Sequence, residues 1–150
     1  MKVALKYGLL ITLGVALWIV VAHTLVPDPN SKVHTFGAGV FFNLLEVAGI
    51  YLGIKAKGKE AGGALTFKDG LKTGVSIAFV YAVTVSLFFV GVIAFLGTKL
   101  LHMDPSMTTQ PVSRIVLGAF VGLFVFAVFF GLFYSAVISF ILAKRLPRES

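Results

Sequence analysis

Four long apolar runs, parted by three polar stretches, account for nearly the whole chain. None of the runs alternates with the period of two that a half-buried strand requires. Each contains about twenty residues or more, enough for a helix rising about 1.5 Å per residue to cross a hydrocarbon core about 30 Å thick. The pattern predicts an all-α integral membrane bundle of four transmembrane helices in one domain over 1–150, with helices at about 7–26, 33–54, 67–101 and 113–142. Pro27, Pro29 and Asn30 break the chain after the first helix, and Pro105 and Pro111 lie in the turn between the third and fourth. Thr66 and Asp69, three residues apart, form a shortened capping box that opens the third helix. The last two helices are longer than the hydrocarbon core and should tilt or project beyond it.

Composition confirms the environment. The 150 residues are 58% hydrophobic and 13% charged, where soluble chains carry about 25% charged residues, and mean hydropathy is +0.99. With no cysteine, disulfides, thiolate metal sites and cysteine nucleophiles are excluded. The basic start followed by an apolar run has the outline of a secretory signal. Its spanning length and the lack of a small-x-small cleavage site before Pro27 predict an uncleaved first helix instead.

The net charge of +7 is placed beside the apolar runs, which points to anionic headgroups and not to nucleic acid. Of 13 Lys and Arg residues, 10 fall at the amino terminus, between the second and third helices, or in the carboxyl tail. The positive-inside rule therefore places both termini in the cytoplasm. Lys55, Lys57, Lys59, Lys144 and Arg145 form the core of the predicted lipid-facing rim.

Within the second helix, Asn43, Glu46, Gly49 or Ile50, and Gly53 read as one stripe of small and polar residues, the expected face for a neighbouring helix in lipid. Glu46 lies eight residues, about 12 Å, inside the helix end. A charge at that depth costs several kcal/mol, so a hydrogen-bonded neutral acid is expected, with a proton or cation site or a contact to a partner protein as the alternatives. Tyr81, Tyr134 and Ser135 fall at the same depth on the third and fourth helices and complete a candidate polar cluster.

Small residues mark further contacts. Gly49/Gly53, Gly70/Gly74 and Gly118/Gly122 have the spacing that admits close helix approach. Gly74, Tyr81, Thr84 and Gly91 form a seam on the third helix, and Ala127, Gly131, Ser135 and Ser139 one on the fourth. Packing inside the bundle is the expectation for each pair; Gly118 and Gly122 point largely away from that second seam, and the alternative for them is a contact with another subunit. Most of the fourth helix's phenylalanines should face lipid or a partner surface. His23, His34 and His102 share the end opposite the lysines but match no ligand motif, so neither a metal nor another cofactor is expected. No catalytic constellation is present. A faint repeat links the entry to the first helix at Leu5-Lys6-Tyr7-Gly8 with that to the third at Leu71-Lys72-Thr73-Gly74.

The runs Ala4-Leu5-Lys6-Tyr7-Gly8-Leu9, Gly49-Ile50-Tyr51-Leu52-Gly53-Ile54-Lys55 and Gly70-Leu71-Lys72-Thr73-Gly74, with Gly62-Gly63 and Phe67, resemble a family of small bacterial membrane proteins. That family is commonest in Bacteroidota and neighbouring phyla and is catalogued only as a domain of unknown function. The resemblance implies four helices in a bacterial inner membrane and carries no activity or catalytic residue. The expected role is a non-enzymatic accessory or scaffold subunit of a larger membrane assembly, or a homo-oligomer. The alternative is a small proton- or cation-coupled transporter built on Glu46.

Overall fold

The computed structural model describes residues 2–26, 28, 31–63, 65–96 and 111–145. Four helices fill them: α1 (Lys2–Leu25), α2 (Ala38–Glu60), α3 (Phe67–Leu96) and α4 (Val112–Arg145). All four are long and apolar enough to cross a membrane, and the chain is a multi-pass membrane protein. The predicted end of the third helix (97–101), His102 and the turn to Gln110 lie outside the described residues.

The helices outrun the spans read from hydropathy because helix and hydrocarbon end for different reasons. α2 was expected to stop near Ile54 but continues to Glu60, where a Lys57–Glu60 ion pair of 3.2 Å links successive turns. It is closed by a hydrogen-bonded double turn: the Gly63 amide donates to the Gly58 carbonyl at 3.0 Å and that of Gly62 to Lys59 at 3.2 Å. This closure needs a left-handed residue just past the helix, and Gly62 supplies it at φ +70°. α2 is preceded by a single wide turn, Val33–Gly37, in which the Ala38 amide reaches the Val33 carbonyl. Hydropathy carries no signal for that turn.

α3 begins as expected at Thr66, with one change in the bonding. The Asp69 amide donates to the Thr66 hydroxyl at 3.1 Å, but the Asp69 carboxylate accepts from that same hydroxyl at 2.6 Å and does not reach the Thr66 backbone.

α3 is the centre of the bundle. In its most apolar stretch of 18 residues 39% are buried, against 17% in that of α4, and it packs on each of the other three helices. The α3–α4 interface is the largest, and α1 and α4 lie on opposite sides of the α2–α3 pair. Two registers hold this arrangement. Antiparallel α3 and α4 meet along Gly70/Ser139, Gly74/Ser135 and Ala78/Gly131, so close that a methyl group added at Gly131 would lie 2.2 Å from the Ala78 Cβ. Parallel α1 and α3 meet where Gly8 abuts Val80 and the Tyr81 backbone; one turn on, the Thr12 and Thr84 hydroxyls lie 2.6 Å apart. Gly8 and Gly74, which correspond in the faint repeat, thus face different partners.

These contacts also align the ends. Tyr7 of α1, Gly53 of α2 and Ile77 of α3 come together, so the lysine-bearing ends of α1, α2 and α3 share one end of the bundle with the last turns of α4. At that end Lys6 lies over the Tyr7 ring and Lys55 over Tyr51, 5.6 and 5.8 Å from the ring centroids. Amphipathic side chains take up this geometry at a membrane interface. Outside the core, Leu9, Leu13, Leu17, Leu44, Leu87, Phe126, Phe129 and Phe133 are exposed, the lipid-facing surface expected of the fold.

Candidate functional site

The buried polar groups converge where α2, α3 and α4 meet. α2 carries Glu46 into this junction at 4% exposure. The reason is local: Glu46, Ile50, Gly53 and Ile54 recur at helical spacing and are all buried. The inward face of α2 therefore combines the predicted small-polar stripe with two large aliphatic residues. Beside it, Gly49 and Gly14 admit α1: the Gly49 backbone is covered by the Ile11 side chain, and Gly14 by that of Leu45.

Opposite Glu46, α4 has no side chain. A methyl group at Gly131 would come within 2.8 Å of Glu46 Oε1, so the carboxyl group rests on the bare backbone of α4. Ala78 closes the same level from α3. Tyr81 from α3 is buried, Tyr134 from α4 lies one turn from Gly131, and Ser135 is wholly buried one turn from Gly131.

Of the expected cluster of Glu46, Tyr81, Tyr134 and Ser135, the structure bonds none of the three hydroxyls to the carboxyl. Tyr134 donates instead to Asn43 Oδ1 at 2.5 Å, and Ser135 donates to the Gly131 carbonyl at 2.5 Å. These two hydroxyls thus have acceptors other than the carboxyl group. Among the described residues Glu46 Oε1 has no hydrogen-bond partner and no cation pairs with it. The unpaired oxygen is notable because a buried polar group normally finds a partner.

Asn43 was legible as part of the stripe but not as the acceptor for Tyr134. The pair lies one turn along each helix from Glu46 and Gly131. It borders a groove of about 500 Å³ between α2 and α4, walled by Val40, Leu44 and Val47. Thr12 was not singled out in the sequence; its partner Thr84 was. The signal available was a lone hydroxyl in an apolar run.

The predicted packing positions divide cleanly. Gly49, Gly53 and Gly74 are close-approach points against Ile11, Ile77 and Ser135. Among the described residues, Gly118 and Gly122 have nothing within 4 Å of the place a Cβ would occupy, and nor does Gly91, so within those residues the α3 seam stops short of Gly91. On α4 the expected seam of Ala127, Gly131, Ser135 and Ser139 is buried throughout.

In the rim, Lys57 pairs with Glu60, Lys55 covers Tyr51 and Lys59 is exposed. Lys144 and Arg145 fall in the last turn of α4, with side chains outside the described residues. The His23 and His34 rings meet edge to face at 5.5 Å, and His34 Nε2 lies 2.9 Å from the Val26 carbonyl. Among the described residues no three His, Asp or Glu side chains cluster as metal ligands.

No family model, curated protein or solved structure matches the chain.

Proposed function

We propose that the chain is a non-enzymatic subunit of the bacterial cytoplasmic membrane, an accessory or scaffold element of a larger assembly, with both termini in the cytoplasm. The observation that carries this reading is the outer face of α4. Gly118 and Gly122 lie there one turn apart with none of the described residues within 4 Å of a Cβ position, flanked by exposed Leu117, Val121 and Val125. Small residues at this spacing let a second helix approach closely in lipid. The lysine-bearing end supports the cytoplasmic assignment and contact with anionic headgroups.

Extraction in mild detergent followed by mass spectrometry tests the reading. A larger membrane partner should co-purify in stoichiometric amount and be lost from Gly118→Leu, while the isolated bundle keeps its thermal stability. Recovery of the chain without any partner would refute it.

A second reading, a small proton- or cation-coupled carrier, is favoured by one observation: the buried Glu46 Oε1 without a partner. Abolition of ion-driven flux in vesicles by Glu46→Gln is its test.

A further inference from the structure

The species that Glu46 would bind as a carrier's coupling site, and the route to it, are set by the chemistry of the junction; both rest on the carrier reading. Hard metal cations leave water only for a cage of several oxygens, about six for Mg²⁺ and six to eight for Ca²⁺. The junction provides a single carboxyl group. Its other walls are the Gly131 backbone and the Ala78 methyl group, with Ile50 buried one turn away on α2. Ser135 donates to the Gly131 carbonyl, and Tyr134 donates to Asn43 one turn away; the two carboxyl oxygens, the Ser135 oxygen and the Gly131 carbonyl make four, short of a cage of about six oxygens. A proton needs only one oxygen, and Oε1 is free.

The α3–α4 seam also supplies polar steps toward the lysine-bearing end. Ser139, wholly buried and with its Oγ unpartnered, faces Gly70 near the start of α3. One turn further in, Ser135 faces Gly74; one turn beyond that, Glu46 Oε1 faces Gly131. Each step is four residues, about 6 Å along the axis. The two serines and the glutamate occupy consecutive levels of one buried line, and serine hydroxyls both donate and accept. The titratable groups near this level on the packed helices are Tyr81 of α3, which is buried, and Tyr134 of α4, whose hydroxyl is directed to Asn43; α1 presents Ile11 one turn away, against Gly49.

We infer that Glu46 is a binding site for one exchangeable proton, not for a metal cation, and that the proton reaches it from the lysine-bearing end along Ser139 and Ser135.

Infrared spectroscopy of the protein in phosphatidylcholine vesicles tests the inference. A protonated-carboxyl carbonyl band absent from Glu46→Gln should vanish reversibly as pH is raised and be indifferent to Na⁺ and K⁺. Ser135→Ala/Ser139→Ala should retain the band but slow its hydrogen–deuterium exchange at least about tenfold. Displacement of the band by Na⁺ or K⁺ at fixed pH would overturn the proton assignment while leaving Glu46 as a coupling site. A band that neither titrates nor exchanges would make Glu46 a structural acid and end both readings. Unchanged exchange in the double serine variant would overturn the route. Should Glu46→Gln not fold, ¹³C-carboxyl glutamate in a Glu60→Gln/Glu149→Gln chain leaves Glu46 as the one labelled side chain and assigns the same band.

Discussion

Gly131→Ala is the sharpest test of the α3–α4 register. The added methyl carbon would fall 2.2 Å from the Ala78 Cβ, 2.8 Å from Glu46 Oε1 and 3.4 Å from the Ala78 Cα. Optimal carbon–carbon separation is about 3.5–4.0 Å, so the helices must part by more than about 1 Å at this level. No rotamer change relieves the clash, because a Cβ is fixed to its backbone. Alanine favours helix over glycine by up to about 1 kcal/mol, whereas overpacking costs about 1–3 kcal/mol. Separation would also loosen the neighbouring Ser135/Gly74 contact. The expected net result is a loss of about 1–2 kcal/mol. The same substitution at Gly122, on the same helix with open space around it, keeps only the propensity gain and should be neutral or slightly stabilising. Reversible unfolding in mixed micelles, followed by circular dichroism, measures both variants. Removing the opposing methyl with Ala78→Gly should recover part of the loss in Gly131→Ala. Equal stability of Gly131→Ala and Gly122→Ala, or no recovery in the double variant, would refute this packing.

Two further substitutions probe what joins the helices and what ends them. Thr12→Val and Thr84→Val each remove one side of the hydroxyl pair between α1 and α3; a double-mutant cycle in micelles should give a coupling of about 0.6 kcal/mol, the usual size for such bonds in membrane proteins. Gly62→Ala forces a side chain into a left-handed conformation at φ +70° and should cost about 1 kcal/mol, read as a lower thermal midpoint, whereas Ala61→Gly should cost less because Ala61 sits at φ −89°.

The environment and the four elements were legible in the residues alone. Hydropathy is a property of each run, and helices are the open-chain solution that satisfies every backbone group in lipid without a partner strand. The α3 cap was legible for the same reason, since Thr66 and Asp69 lie within one turn. So was the inward face of α2, because Asn43, Glu46 and Gly53 fall together at helical spacing. The π-type turn at Val33–Gly37 had no such signature, being a change of hydrogen-bond register within an apolar run. Partners, by contrast, were settled by packing. Depth counting brought Tyr134 and Ser135 to the level of Glu46, but it measures height and not direction. Once packed, the Tyr134 hydroxyl has Asn43 as its acceptor and Ser135 has its own helix's carbonyl, so the carboxyl is left without them. Likewise, glycine spacing marks where close approach is allowed, and Gly74 and Gly118 look alike in sequence. What separates them is register: α3 sets Gly74 against Ser135, while Gly118 lies on a face that none of the other described helices covers.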